Sequence, residues 1–462
     1  MEGAEAVEQS PRASRLARLT ERLRASRLGW LGDVAVANLR DPVRVFALLL
    51  LTALVLRALW LTVPARGLIF DEAYYVNAAR VVLGLPATSH YADSPVGLDP
   101  NTEHPPLGKL AIAASMAVFG DNGLGWRLPS LIAAMVALLV VYQIVRATDR
   151  SAWLAVLVVG VLSLDNLTFV HGRIGTLDML VLAPMLIGSW LGIQRRWLLA
   201  GLAMGLALLV KLTALYGIAA VILYFLLTDG AEWWRRRGLS PSDSGGLSPS
   251  DSGGLSLRGL AGPVLFVAVT FAVALGGLAA LDARFTSFSS PLAHIERMVS
   301  YGAALRAPAT AGFCPEADSR PWQWLFNECQ IQYLRVDVTV RAGEEVVARV
   351  PRIDFRGALN PLLAGAIPLA GLFAGWYAWR TRSRVALWAV AWAAANYLPY
   401  VVLAIFTSRI MYLYYALPLV PAVAIAIALL LVRAGLPRPV RWGFLAAYVV
   451  GFVAYFPFRQ VP

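Results

Sequence analysis

The sequence predicts an all-α polytopic membrane protein with about eleven transmembrane helices, and three observations carry that expectation. Of its 462 residues, 58% are hydrophobic and only 15% charged, with a mean hydropathy of +0.64, which lies outside the range of soluble globular chains. The apolar residues gather into runs near the length a bilayer demands, about 20 residues each. Basic residues then stand at the ends of alternate runs, the mark of membrane topology.

In chain order the runs lie near 43–63, 127–146, 152–165, 176–193, 197–211, 213–228, 260–281, 362–379, 385–406, 410–432 and 440–456. Residues 1–42 ahead of them are polar and arginine-rich, without the short apolar core of a cleavable signal, so they read as a cytoplasmic tail and the first run as a retained anchor. Arg15, Arg18, Arg22, Arg24 and Arg27 precede the first run, Arg146 and Arg150 follow the second, and Arg195 and Arg196 the fourth. Arg235, Arg236 and Arg237 follow the sixth, Arg380, Arg382 and Arg384 the eighth, and Arg433, Arg438 and Arg441 the tenth. Every second connection is thus basic, which places the N-terminus in the cytoplasm and residues 457–462 outside, with one membrane domain over 43–456. The formal charge of +12 is accounted for by this placement, so nucleic acid is not an expected partner.

The two long outer segments, 64–126 and 282–361, are where function is expected. On the inner side, 229–259 contains GLSPSDSG twice in tandem (238–245 and 246–253), a flexible linker by composition. In the second outer segment VDVTV (336–340) and EVVARV (345–350) flank a turn and predict a small hairpin. The two cysteines of the chain, Cys314 and Cys329, both lie there; a disulfide is expected, two unpaired thiols being the alternative.

Residues able to do chemistry collect in the outer connections. Phe70-Asp71-Glu72-Ala73-Tyr74-Tyr75 follows the first run and puts two carboxylates and two tyrosines at the membrane surface; a helix start would also favour such acids. His104-Pro105-Pro106-Leu107-Gly108-Lys109 and Arg127 come next, either as a site or as a proline-stiffened turn before an interfacial helix. Only two of the 40 basic residues are lysines, Lys109 and Lys211, which singles them out. Asp165, Asn166, His171, Arg173 and Asp178 form a third cluster, and charges at membrane depth usually face a polar cavity. Lys211 and Arg409 sit at outer run ends, where snorkelling is the plainer account. No ligand spacing such as HxxxH supports a metal, so neither metal nor cofactor is expected.

FDEAYY, HPPLGK, DNLTFVHGRIGTLDM, the lysine of KLTALY, SRPWQW, GALNP and RIMYLYYALP occur in this order over roughly residues 43–430. In order and spacing they resemble the protein O-mannosyltransferase family, membrane glycosyltransferases of the C-type fold. The resemblance implies eleven membrane helices, a polyprenyl-phosphate mannose donor, and transfer with inversion to Ser or Thr of an exported protein. It maps the family's acidic pair onto Asp71 and Glu72, its essential arginine onto Arg173 and that arginine's acidic partner onto Asp178. The chain departs from the family in lacking the large luminal domain of eukaryotic members, in its short second loop, and in His171, where a small or polar residue is usual.

Elementary chemistry leads to similar roles. A sugar on a lipid phosphate already carries a good leaving group, so one base suffices; Asp71 is the expected base, with Glu72 positioning the acceptor. The departing phosphate needs cations, for which Arg173, Lys211 and Arg409 are the first candidates and Lys109 and Arg127 the next. His104 and Asp165 are further binding candidates, and Tyr74, Tyr75, Trp322 and Trp324 offer faces to sugar or peptide, although interfacial tryptophans also anchor. The expected partners are the lipid-linked donor, an exported protein acceptor, the plasma membrane and the export machinery. Within the same fold, a transferase acting on a lipid or cell-wall glycan, such as an aminoarabinose or arabinose transferase, is the nearest alternative. A secondary transporter would show paired halves and broken mid-membrane helices, and no internal duplication is visible.

Overall fold

A backbone in hydrocarbon must satisfy its own hydrogen bonds, and each of the apolar runs accordingly folds as helix. The structure, a computed structural model, describes residues 40–65, 67–88, 90–230, 257–307, 314, 317–342 and 345–460. The arginine-rich tail to residue 39, nearly all of the linker and the hairpin tip lie outside the described residues. Helix α1 (Pro42–Ala58) begins behind Asp41, whose carboxylate accepts the Val43 amide at 2.9 Å. The first outer segment forms α2 (Glu72–Leu83) and α3 (Leu107–Phe119). The chain continues through α4 (Gly123–Thr148), α5 (Ala152–Ser163), α6 (Asn166–His171), α7 (Leu177–Ile193), α8 (Trp197–Leu208), α9 (Ala214–Phe225) and α10 (Leu257–Phe285). The second outer segment holds α11 (Pro291–Ala304), the short α12 (Pro321–Trp324) and strands β1 (Ile331–Ala342) and β2 (Glu345–Gly357). It is followed by α13 (Pro361–Thr381), α14 (Arg384–Phe406), a 3-10 turn Leu413–Leu419 leading into α15 (Val420–Arg433), and α16 (Arg438–Ala454).

Among the described residues, five helices are long and apolar enough to cross a membrane by length and composition: Gly123–Thr148, Leu260–Phe285, Pro361–Thr381, Arg384–Phe406 and Leu413–Arg433. The other predicted runs also form helices, α1, α5, α7, α8, α9 and α16, of 12 to 17 residues. The Leu413–Arg433 helix is central, with 78% of its apolar window buried against α5, α13 and α14. Leu372, Trp379, Phe406 and Trp442 turn outward, a surface suited to lipid.

Helix α10 is peripheral and holds to the body through α8. A Cβ at Gly201 would stand 2.8 Å from Val269 Cβ, and one at Gly205 2.6 Å from Val273 Cβ, so the small-xxx-small pair lets the two backbones meet. Gly205→Leu is therefore expected to lower stability by about 1–3 kcal/mol through overpacking. Equilibrium unfolding in lipid discs measures it, and an unchanged midpoint would mean that α10 is free to shift.

The hairpin is longer than the sequence patterns indicate, pairing from Ile331↔Gly357 to Ala342↔Glu345. Its base docks in a second apolar cluster, where Tyr333, Ile353 and Phe355 meet Ile69, Phe169, Ile174, Phe452 and Phe458. The Asp354 amide donates to Pro457 O at 2.8 Å, and the Arg459 amide to Arg352 O at 2.9 Å. The expected disulfide, Cys314–Cys329, is present.

Candidate active site

Between α1 and α2 the backbone reverses at Phe70, which takes the left-handed conformation with φ 54°. Asp71 follows at the helix N-cap, yet its side chain makes no capping bond. The helix-start explanation therefore does not account for it, and its carboxylate makes no hydrogen bond or ion pair among the described residues. Glu72 has the opposite fate. Fully buried, it accepts Arg127 Nε at 2.8 Å and Nη2 at 3.0 Å, the Ile69 amide at 2.8 Å and the Gly175 amide at 2.7 Å. The acidic pair is thus split into one unpaired and one fully engaged carboxylate. Glu72 and Arg127, expected at the acceptor and the phosphate respectively, instead form a brace joining the first outer loop, α4 and the α6–α7 turn. Arg127 also donates to Leu61 O at 2.8 Å and Gly67 O at 3.1 Å.

The unpaired Asp71 faces a charged cluster built from distant segments. Lys211 Nζ lies 2.8 Å from Asp178 Oδ1, and His171 Nδ1 3.2 Å from Asp178 Oδ2. Both Asp178 and Lys211 lie close enough to act electrostatically on Asp71: burial, reinforced by Asp178 and partly offset by Lys211, raises its carboxyl to about 7. Asp178 thus partners Lys211 and His171 and not Arg173, correcting the family-derived pairing. His104 lies on the same cluster; burial, then Lys211 and Lys109, hold its imidazole well below the usual range, so it is neutral. Tyr75, 95% out of solvent contact, packs with its ring centroid 6.0 Å from that of His104. Arg409 lies near enough to His104 to act on it electrostatically: its backbone bridges Arg306, its guanidinium lies so near Gly302 that a Cβ there would sit 2.9 Å from Nη1, and it has no ion-pair partner among the described residues.

Several expected site residues serve structure instead. Arg173 is buried, donates to Leu59 O at 2.8 Å and Trp60 O at 3.3 Å, and lies 4.8 Å from the Phe458 ring centroid; it knits α1 to the hairpin base and does not reach the lysine cluster. Lys109 pairs with Asp99 at 2.6 Å and donates to His104 O at 2.7 Å and to Asn101 O, so it braces the loop that carries His104. Asp165 caps α6 through the Thr168 amide at 2.8 Å and accepts the Asn360 amide at 2.9 Å. Trp324 is buried, with its indole N–H donated to Ser319 Oγ at 2.8 Å, and offers no face to a substrate; Trp322 and Tyr74 remain exposed. Among the described residues, no three His, Cys, Asp or Glu side chains converge as metal ligands.

Sequence reading missed Tyr333, Tyr414 and Tyr415. Tyr333 and Tyr414 wall the cluster, Lys211 Nζ lying 5.8 Å from the Tyr414 ring centroid, and Tyr415 touches Tyr414 at 4.9 Å. The run RIMYLYYALP was visible, but nothing local says which of its tyrosines turns inward.

Residues 103–240 match the family model described as dolichyl-phosphate-mannose-protein mannosyltransferase. The polyprenol-phosphate-mannose–protein mannosyltransferase of Mycobacterium tuberculosis is 37% identical over 111 residues, which are 24% of this chain and 20% of that protein. Among solved structures, the S. cerevisiae protein O-mannosyltransferase complex bound to the sugar donor superposes with a TM-score of 0.63 at 12% identity, over 93% of this chain and 92% of that one. ArnT from Cupriavidus metallidurans bound to undecaprenyl phosphate gives 0.50 at 19% identity, over 91% and 63%. The resemblance read from the motifs is borne out, and the fold is that of the C-type membrane glycosyltransferases.

Proposed function

We propose that the chain is an inverting glycosyltransferase that moves mannose from a polyprenyl-phosphate donor to Ser or Thr hydroxyls of exported proteins at the outer face of the plasma membrane. The observation that carries this reading is the unpaired Asp71 carboxylate beside Lys211, with Arg409 acting on the neighbouring His104. Asp71 takes the proton of the acceptor hydroxyl as its oxygen attacks the anomeric carbon, and the carbon–oxygen bond to phosphate breaks on the opposite face. The released lipid phosphate gains a negative charge, which Lys211 and Arg409 meet. Asp178 holds Lys211 in place, and neutral His104 can hydrogen-bond sugar hydroxyls without repelling these cations.

A lipid-borne donor also suits the surroundings. An apolar groove of about 480 Å³, lined by Ile367, Leu372, Val390, Tyr397 and Val423, reaches Tyr397, which contacts Trp324 and through it Tyr415. The alternating arginines support a cytoplasmic N-terminus and an outer site, and the disulfide fits an oxidising compartment.

Purified protein given radiolabelled polyprenyl-phosphate mannose is expected to label a Ser/Thr-rich peptide and to leave lipid and cell-wall glycan acceptors unlabelled; label confined to a lipid or glycan would overturn the protein acceptor. The pH profile follows from Asp71. Only its ionised form accepts a proton, so with the carboxyl at about 7, kcat/KM should climb about tenfold per pH unit below that point and level above it. A profile flat from about pH 5 to about pH 8 would exclude a base of this kind.

A further inference from the structure

We infer that His171 and Tyr333 are positioning residues that hold Asp71 turned into the site, acting through Phe70. This rests on the role proposed for Asp71. Four rings form a closed box behind that residue: Phe70 stacks on Tyr333 at 4.0 Å, Tyr333 meets His171 edge-on at 5.5 Å, His171 lies over Tyr414 at 5.8 Å, and Tyr414 returns to Phe70 at 5.3 Å. Phe70 immediately precedes Asp71 and holds the left-handed φ of 54°, a conformation a bulky residue keeps only when its surroundings impose it.

The hydrogen bonds show what imposes it. Asp178, already tied to Lys211, faces His171 Nδ1 at 3.2 Å, and the Thr176 hydroxyl lies 3.4 Å from the same nitrogen. On the other side of the ring, His171 Nε2 and the Tyr333 hydroxyl share a hydrogen bond of 2.8 Å. The line Asp178–His171–Tyr333 thereby fixes the plane of the ring on which Phe70 stacks.

The hairpin is shaped to deliver this tyrosine. Gln332 pairs with Arg356 and Leu334 with Phe355, so Tyr333 is the extra residue of a bulge, a device that re-aims a side chain. Its hydroxyl passes over Gly357, where a Cβ would stand 2.4 Å from it; any other residue at 357 would block the path. The hairpin is therefore coupled to the turn at Phe70 through the Tyr333 ring, which is itself held by its hydrogen bond to His171.

The test uses the full chain in lipid discs, as wild type, Tyr333→Phe, His171→Phe, His171→Gln and Asp71→Asn. Infrared difference titration follows the Asp71 carboxyl, Asp71→Asn identifying its band, and sugar transfer gives kcat and KM. Tyr333→Phe keeps the ring and removes only the hydroxyl, so it tests the hydrogen bond without emptying the core. Expected for Tyr333→Phe and His171→Phe are a titration midpoint lowered by about one pH unit or more, as Asp71 swings toward water, and kcat lowered about tenfold at unchanged donor KM. His171→Gln, whose amide can meet both partners, should recover a large part of both. Wild-type midpoint and kcat in Tyr333→Phe would overturn the inference. Absence of transfer in every protein, wild type included, would overturn the functional reading alone, because the midpoints still decide the positioning role.

Discussion

Asp71→Asn is expected to lower kcat for sugar transfer by about 10²- to 10⁴-fold, the usual contribution of a positioned general base, with donor KM unchanged. Asparagine has the same shape but cannot accept the acceptor proton, and among the described residues no other carboxylate of the cluster is unengaged to replace it: Asp178 is held by Lys211 and His171, Glu72 by Arg127. The fold should not suffer. The Asp71 carboxyl holds its proton more tightly in the fold than in the unfolded chain, so its contribution to stability is full at acid pH and is lost as the pH rises through about 7. Above that pH a neutral asparagine removes the burden, and thermal unfolding of the variant should occur at or above the wild-type temperature. A kcat within about tenfold of wild type would remove Asp71 as base.

Glu72→Ala should act through stability instead. Removing the carboxylate strands the Arg127 guanidinium, 1% exposed, and leaves the Ile69 and Gly175 amides without their acceptor. Loss of one partner of a buried pair costs about 3–5 kcal/mol, enough to loosen the junction of the first outer loop, α4 and the α6–α7 turn. Chemical denaturation in lipid discs measures this directly. Wild-type stability together with a raised acceptor KM would restore Glu72 to the acceptor role that its position beside Asp71 suggests.

That division of labour marks the limit of what the chain alone discloses. Apolar runs could be read because hydrocarbon leaves the backbone no option but helix, and all of them fold as such. The disulfide could be read because only two cysteines share one outer loop. Adjacent residues at a helix start, however, point about 100° apart, and which of Asp71 and Glu72 turns to the core is decided by Arg127, distant in sequence. Rarity of lysine drew attention to Lys109 and Lys211 alike, yet one is committed to Asp99 and the loop carbonyls while the other reaches the cluster. Arg173 looked like a phosphate ligand because a cation beside a histidine and an aspartate reads as a site; its cage of Phe169, Phe355 and Phe458 comes from three separate segments. Tyr333 reaches His171 only through a bulge, and no local pattern announces one.

The anomeric configuration of the transferred sugar decides whether Asp71 acts as a lone base in a single displacement. A single base and a single displacement require inversion, whereas retention needs a second carboxylate as nucleophile, and none is unengaged beside Asp71 among the described residues. Proton NMR of the glycosylated peptide, compared with the donor, should therefore show the opposite configuration at the anomeric carbon. A sugar carried over with the donor's own configuration would contradict the account.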